Sequence, residues 1–138
     1  MAFIKKISNQ KGSAAIEFGL ILPFFLMLLC GIIEYGWYFT NEIALTNAVT
    51  EGARRAIKED DNNRAKEVAF NALIEGFWPR DLADSGEINI DENIIIHEDE
   101  PKRIVVTVPA LEYKSLTEFL PAELLPTNLG AKSIMTFP

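Results

Sequence analysis

From Phe18 to Ile33 the chain runs through sixteen consecutive residues without a charge, and a single carboxylate, Glu17, stands at their threshold. As a helix this run is about 24 Å long at roughly 1.5 Å per residue, short of the ~30 Å hydrocarbon layer of a bilayer. Extending it back to Ser13 and on through Phe39 supplies the length, with Glu17 and Glu34 as the only charges added. In a chain of 138 residues nothing else is large enough to enclose such a helix. The run therefore reads as a membrane segment rather than a buried core helix, and what remains is enough for one small domain.

Glu17 makes the segment unusual. A carboxylate entering lipid costs several kcal/mol unless something cationic meets it. Five residues before it lies Gly12, at the end of a short leader that carries Lys5, Lys6 and Lys11 and no acid. Cutting after Gly12 would free an α-amino group on Ser13, a cation with which Glu17 could pair. The basic leader places the N-terminus in the cytoplasm by the positive-inside tendency and sends the rest across the membrane. Without the three leader lysines the net charge of −7 becomes −10, which speaks against nucleic acid as a partner, since that requires a basic footprint.

A removed secretory signal does not fit. Small residues and a glycine precede the apolar run, and Glu34-Tyr35-Gly36-Trp37-Tyr38-Phe39 follows it, an aromatic cluster suited to an interface belt rather than to a cleavage site. The only cysteine, Cys30, lies inside the run behind Leu29. A lipidated cysteine wants a small residue before it, and no intrachain disulfide is available, so the exported part must hold together by packing.

The helix is expected to continue past the membrane. Thr40 to Lys58 has no proline and is rich in good helix formers. Leu45, Ala48, Val49, Gly52, Ala53 and Ala56 recur at spacings of three to four and form a narrow face of mostly small side chains, which lets another backbone come close. Asn47, Glu51, Arg54, Arg55 and Lys58 lie opposite. One helix over residues 13–58 results, about 69 Å long, with Gly19 and Pro23 as candidates for a kink.

An acidic turn, Glu59-Asp60-Asp61-Asn62-Asn63, offers Asp61 or Asn62 as a cap for a second helix over about Arg64 to Phe77, ended by Pro79. The texture then changes to strands. Glu87 to Asp91 alternates with period two, Ile94-Ile95-Ile96 is β-branched, Arg103 to Val108 is the clearest strand, and a last strand runs from about Ala131 to Phe137. Pro109 fits an edge or an end. The fold class is α+β: a long N-terminal transmembrane helix, then a second helix on a short antiparallel sheet. The domains are a basic leader (1–12), the transmembrane part (13–39) and an exported domain (40–138) that includes the helix continuation to about 58.

Lys11-Gly12-Ser13-Ala14-Ala15-Ile16-Glu17-Phe18 resembles the prepilin-peptidase site of type IV pilins and pseudopilins. The wider stretch resembles the TadE-like proteins, pseudopilins of the tight-adherence (Flp-type) pilus system. It includes Leu22-Pro23, Gly31-Ile32-Ile33-Glu34-Tyr35-Gly36, Ala44-Leu45-Thr46-Asn47-Ala48 and Glu51-Gly52-Ala53-Arg54, so that the resemblance covers about residues 11–57. Ile104 to Val108 and Leu129 to Met135 are similar to the closing strands of that family, although Thr136 stands where a basic residue is frequent. TadF-like proteins share the leader motif. The resemblance implies cleavage between Gly12 and Ser13, recognition through Glu17 and Phe18, and pairing of Glu17 with the new amino group in a filament. The implied partners are prepilin peptidase, other pilins and pseudopilins (TadF-like proteins and the major Flp-type pilin), an inner-membrane assembly platform and the lipid bilayer.

No catalytic constellation is visible: there is no phosphate-binding glycine loop and no nucleophile elbow. His97 is the only histidine, and its neighbours Glu98 to Glu100 alternate in direction on a strand, so they do not converge on a metal. Neither catalysis nor a cofactor is expected. Arg54 and Arg55 are expected to meet the acidic turn at 59–61, a neighbouring subunit or solvent. A single-pass anchored binding module without a pilus role is the competing reading, and it requires no processing at Gly12.

Overall fold

The structure is a computed structural model and describes residues 10–79, 82, 86–117 and 119–138. The leader lysines Lys5 and Lys6 lie outside the described residues. Helix α1 spans Gln10–Ala56, 47 residues or about 70 Å at the standard rise. It passes without interruption through Gly19 and Pro23. Arg54 and Arg55 occupy its last turn, where cations complement the helix dipole, and the helix closes in tighter bonds from Lys58 N to Arg55 O and from Glu59 N to Ala56 O.

Helix α2 (Asn62–Gly76) starts at Asp61, whose carboxylate accepts from Asn63 N and Arg64 N. Three strands follow, β1 (Ile94–His97), β2 (Arg103–Glu112) and β3 (Asn128–Thr136), in the spatial order β1-β2-β3 and antiparallel throughout. The fold is therefore α+β, as the sequence predicts.

Three local expectations need correction. Glu87 to Asp91 is not a strand. Asn89 caps a single helical turn, Ile90–Asn93, by accepting from Asp91 N, and Asn93 binds Asn89 N at 2.6 Å and Thr107 O at 2.7 Å. These side-chain bonds offer the backbone an alternative to a ladder, while Ile88 is still buried and Ile90 still packs against the core. Strand β2 does not stop at Val108 but continues to Glu112 across a register shift between Val108 and Leu111, so that of the edge or end expected for Pro109 it takes the edge. Strand β1 pairs only with residues 103–106, so Pro109 lies where β2 has lost one neighbour and needs no N–H for it. Strand β3 begins at Asn128, three residues before the expected start, and ends at Thr136.

The core lies between the upper half of α1, helix α2 and one face of the sheet. Leu45, Val49, Leu73, Phe77, Ile94, Ile104, Val106, Leu111 and Leu129 are fully buried there. Burial of each such side chain contributes about 1.5–3 kcal/mol. No residue from Gly12 to Ile33 is buried, so α1 has a bare half and a clothed half.

Candidate functional site

At the bare end, Gly12 and Ser13 lie in the opening turns of α1, and the Ser13 hydroxyl donates to Glu17 Oε1 at 3.1 Å. The two residues are one helical turn apart, so an amino group created on Ser13 would come within reach of the carboxylate on the same helix. Glu17 is exposed and so is Phe18 beside it. Along this end of the helix Ile16, Leu20, Ile21, Phe24, Phe25 and Leu28 are each more than half exposed. This helix is long and apolar enough to cross a membrane. Cys30 is a half-buried free thiol.

The bare half stops at a second carboxylate. Glu34 is the first buried residue of α1 and is only 1% exposed. Its Oε1 accepts from the Tyr113 hydroxyl at 2.7 Å and Leu116 N at 2.8 Å, and its Oε2 from Thr117 N at 3.0 Å and the Thr117 hydroxyl at 2.8 Å. The Tyr113 hydroxyl also reaches the Glu34 carbonyl at 3.2 Å. Burial, then the adjacent Glu34 carboxylate, push the Tyr113 phenol above its usual range. One residue on, the Tyr35 hydroxyl donates to Leu124 O at 2.8 Å, and Tyr38 meets Tyr113 edge to face, with ring centroids 5.3 Å apart. The segment after β2 is thus clasped to α1 where its apolar stretch ends.

From Ser13 to Ile33 the bare stretch is about 31 Å long, the thickness of a bilayer core. The span expected from the sequence runs on to Phe39, whereas the domain's own contacts begin at Glu34.

Higher on α1, Leu45, Ala48, Val49, Ala53 and Ala56 are buried in the core. Gly52 faces α2 so closely that a Cβ there would stand 2.8 Å from Ala69 O, and a Cβ on Gly76 would stand 2.9 Å from the Cβ of Ala48. A Cβ added at Gly19, Gly31 or Gly36 would meet nothing within 4 Å beyond the helix's own backbone. Arg54 and Arg55 do not meet the acidic turn. Both bind Glu51, at 2.8 and 2.9 Å, and Arg55 also approaches Glu75 at 3.8 Å. Those hydrogen bonds, first from Arg54 and then from Arg55, hold the Glu51 carboxyl down at about 2. The acidic turn pairs instead with Arg64, through Glu59 at 3.1 Å.

His97 is exposed at the end of β1, opposite Arg103. Among the described residues no group of three or more His, Cys, Asp or Glu side chains could hold a metal ion. The Glu34 clasp has little signal in sequence, because its partners lie about 80 positions away. The available hint is an acid at the end of an apolar run, where lipid offers it no partner.

Residues 12–54 match the family described as TadE-like protein. The resemblance read from the sequence is borne out over this segment, which contains Gly12, Glu17, Glu34 and Gly52. No curated protein and no solved structure matches the chain.

Proposed function

We propose that this chain is a TadE-like minor pseudopilin that helps to assemble a tight-adherence pilus for surface attachment. Prepilin peptidase cuts between Gly12 and Ser13, recognising Glu17 and Phe18, and the chain is its substrate rather than itself a catalyst. It sits in the bacterial inner membrane by a single span, with the leader in the cytoplasm and the domain in the periplasm, and works with TadF-like subunits, the major Flp-type pilin and the assembly platform.

The observation that carries this reading is the placing of Glu17 one turn after Ser13, at the head of a bare apolar helix within the segment that matches the TadE-like family. A lone carboxylate in lipid requires a cation, and cleavage supplies one within reach. When the mature helix leaves lipid for a filament core, the carboxylate and an amino group pair at low dielectric, where an unmatched partner is heavily penalised. The pair then marks register between subunits.

Intact-mass measurement of the membrane-bound protein from cells with an active prepilin peptidase tests this. The expected N-terminus is Ser13, and Glu17→Ala is expected to impair processing or assembly. An intact leader with normal function in the Glu17→Ala variant favours the anchored binding module instead.

A further inference from the structure

We infer that the segment between β2 and β3 is a membrane-contact surface, on which the domain rests its lower face in the headgroup and upper acyl region of the bilayer. The inference rests on the spanning reading of residues 13–33 and not on any role in a pilus.

Two fastenings fix the height of this segment. Leu116 N and Thr117 N are bound to Glu34, and Leu124 O is bound to Tyr35. Both points lie at the first residues beyond the bare stretch, so the segment runs beside the level at which α1 enters lipid. Its composition is unlike that of a solvated loop: Leu116, Phe119, Leu120, Pro121, Ala122, Leu124, Leu125 and Pro126 crowd eleven positions. Leu116, Phe119 and Leu124 are each more than half exposed. Leu116 also lines a cleft with Trp37, Pro79 and Lys114, and Trp78, more exposed still, stands edge-on to Trp37 with ring centroids 6.1 Å apart.

Exposed apolar side chains that adjoin one another mark an interaction surface. Here the fastenings to Glu34 and Tyr35 hold them at the level where the apolar surface of the helix ends, and the occupant of that surface is lipid. Tryptophan and tyrosine bodies at this height suit the interface. Charge does not drive the contact, because Glu118 and Glu123 accompany Lys114 in sequence. It should therefore form on zwitterionic lipid and tolerate salt.

The test uses the full chain, with Cys30→Ser as background, reconstituted in phosphatidylcholine vesicles. Phe119→Cys, Leu124→Cys, Phe25→Cys and Asp99→Cys each carry an environment-sensitive fluorophore, and nitroxide lipids quench from shallow or deep acyl positions. Asp99 lies in the β1–β2 turn at the far end of the domain, beside Glu98, which holds the start of α2 through Asn62. Probes at 119 and 124 are expected to be blue-shifted and to lose emission mainly to the shallow nitroxide, the probe at 25 to lose it to the deep one, and the probe at 99 to neither. Quenching at 25 with none at 119 and 124 overturns the inference and leaves the span standing. No quenching at 25 overturns both. A blue shift at 119 and 124 without lipid quenching, growing with the protein-to-lipid ratio, assigns the surface to a second copy and also overturns it.

Discussion

Glu17 and Glu34 bound the same bare stretch of one helix, and the chain treats them in opposite ways. Glu34 is enclosed by its own domain, and four hydrogen-bond donors converge on its two oxygens. Glu17 is exposed, and it accepts from the hydroxyl of Ser13 one turn below. A carboxylate satisfied from within can do structural work and needs no other molecule. One left open at the edge of lipid remains a demand on something outside the folded domain. The difference separates an acid that builds the subunit from one available to place it.

Exchanging each acid for alanine is the harshest test of that difference. Glu34→Ala leaves Leu116 N and Thr117 N without their acceptor, at about 1–3 kcal/mol for each donor, so a loss on the order of 3 kcal/mol is expected in chemical unfolding of the detergent-solubilised protein. Limited proteolysis should then cut the segment after Tyr113 faster. Glu17→Ala should leave the same unfolding curve in place. An equal loss from both variants would erase the contrast.

The two halves of α1 differ in their glycines as sharply as in their acids. Gly52→Ala drives a methyl group to 2.8 Å from a backbone carbonyl of α2, which cannot yield as a flexible side chain would, and an overpacking penalty of about 1–3 kcal/mol is expected. Gly31→Ala meets nothing within 4 Å, and better helix propensity should leave the isolated subunit unchanged or more stable by up to about 1 kcal/mol. Thermal unfolding of both variants in one detergent checks the sign of each. If Gly31→Ala instead abolished assembly without touching stability, the bare half would be the surface on which subunits pack.

These contrasts were unevenly legible beforehand. The length of α1 follows from an uncharged run that continues into good helix formers, and the spacing from Leu45 to Ala56 marks a face of small side chains that the structure sets against α2 and the core. Strand β2 announces itself through Ile104 to Val108. Glu87 to Asp91 misleads because alternation reports burial, and Ile88 and Ile90 reach the core from a coil and a helical turn as well as they would from a strand. The deciding residues were Asn89 and Asn93, whose side chains compete for the backbone. Glu34 is visible in sequence as an acid, but its partners depend on how the chain folds back over some 80 residues, which no local pattern encodes.

The mildest probe of buried against exposed carboxylate chemistry is pH, and its two arms differ in sign and size. The Tyr113 phenol is raised above its ordinary value near 10, so the folded state holds its proton after the unfolded chain has released one. Its contribution to stability is complete below pH ~10 and is lost as pH climbs toward the raised value. Alkaline titration should therefore destabilise the protein beginning near pH 10, and Tyr113→Phe should remove that component while lowering stability at neutral pH. The Glu51 carboxyl is depressed to about 2, so its contribution is present above the ordinary carboxylate range and disappears as pH falls from there toward about 2. Glu51, Arg54 and Arg55 are open to solvent, where salt screens such pairs. Glu51→Gln should therefore scarcely change unfolding at neutral pH, and high salt should remove what difference there is. The Tyr113 component should persist in salt, because the hydroxyl that Glu34 holds is enclosed. An alkaline transition that salt abolished would place Tyr113 in solvent and open the clasp.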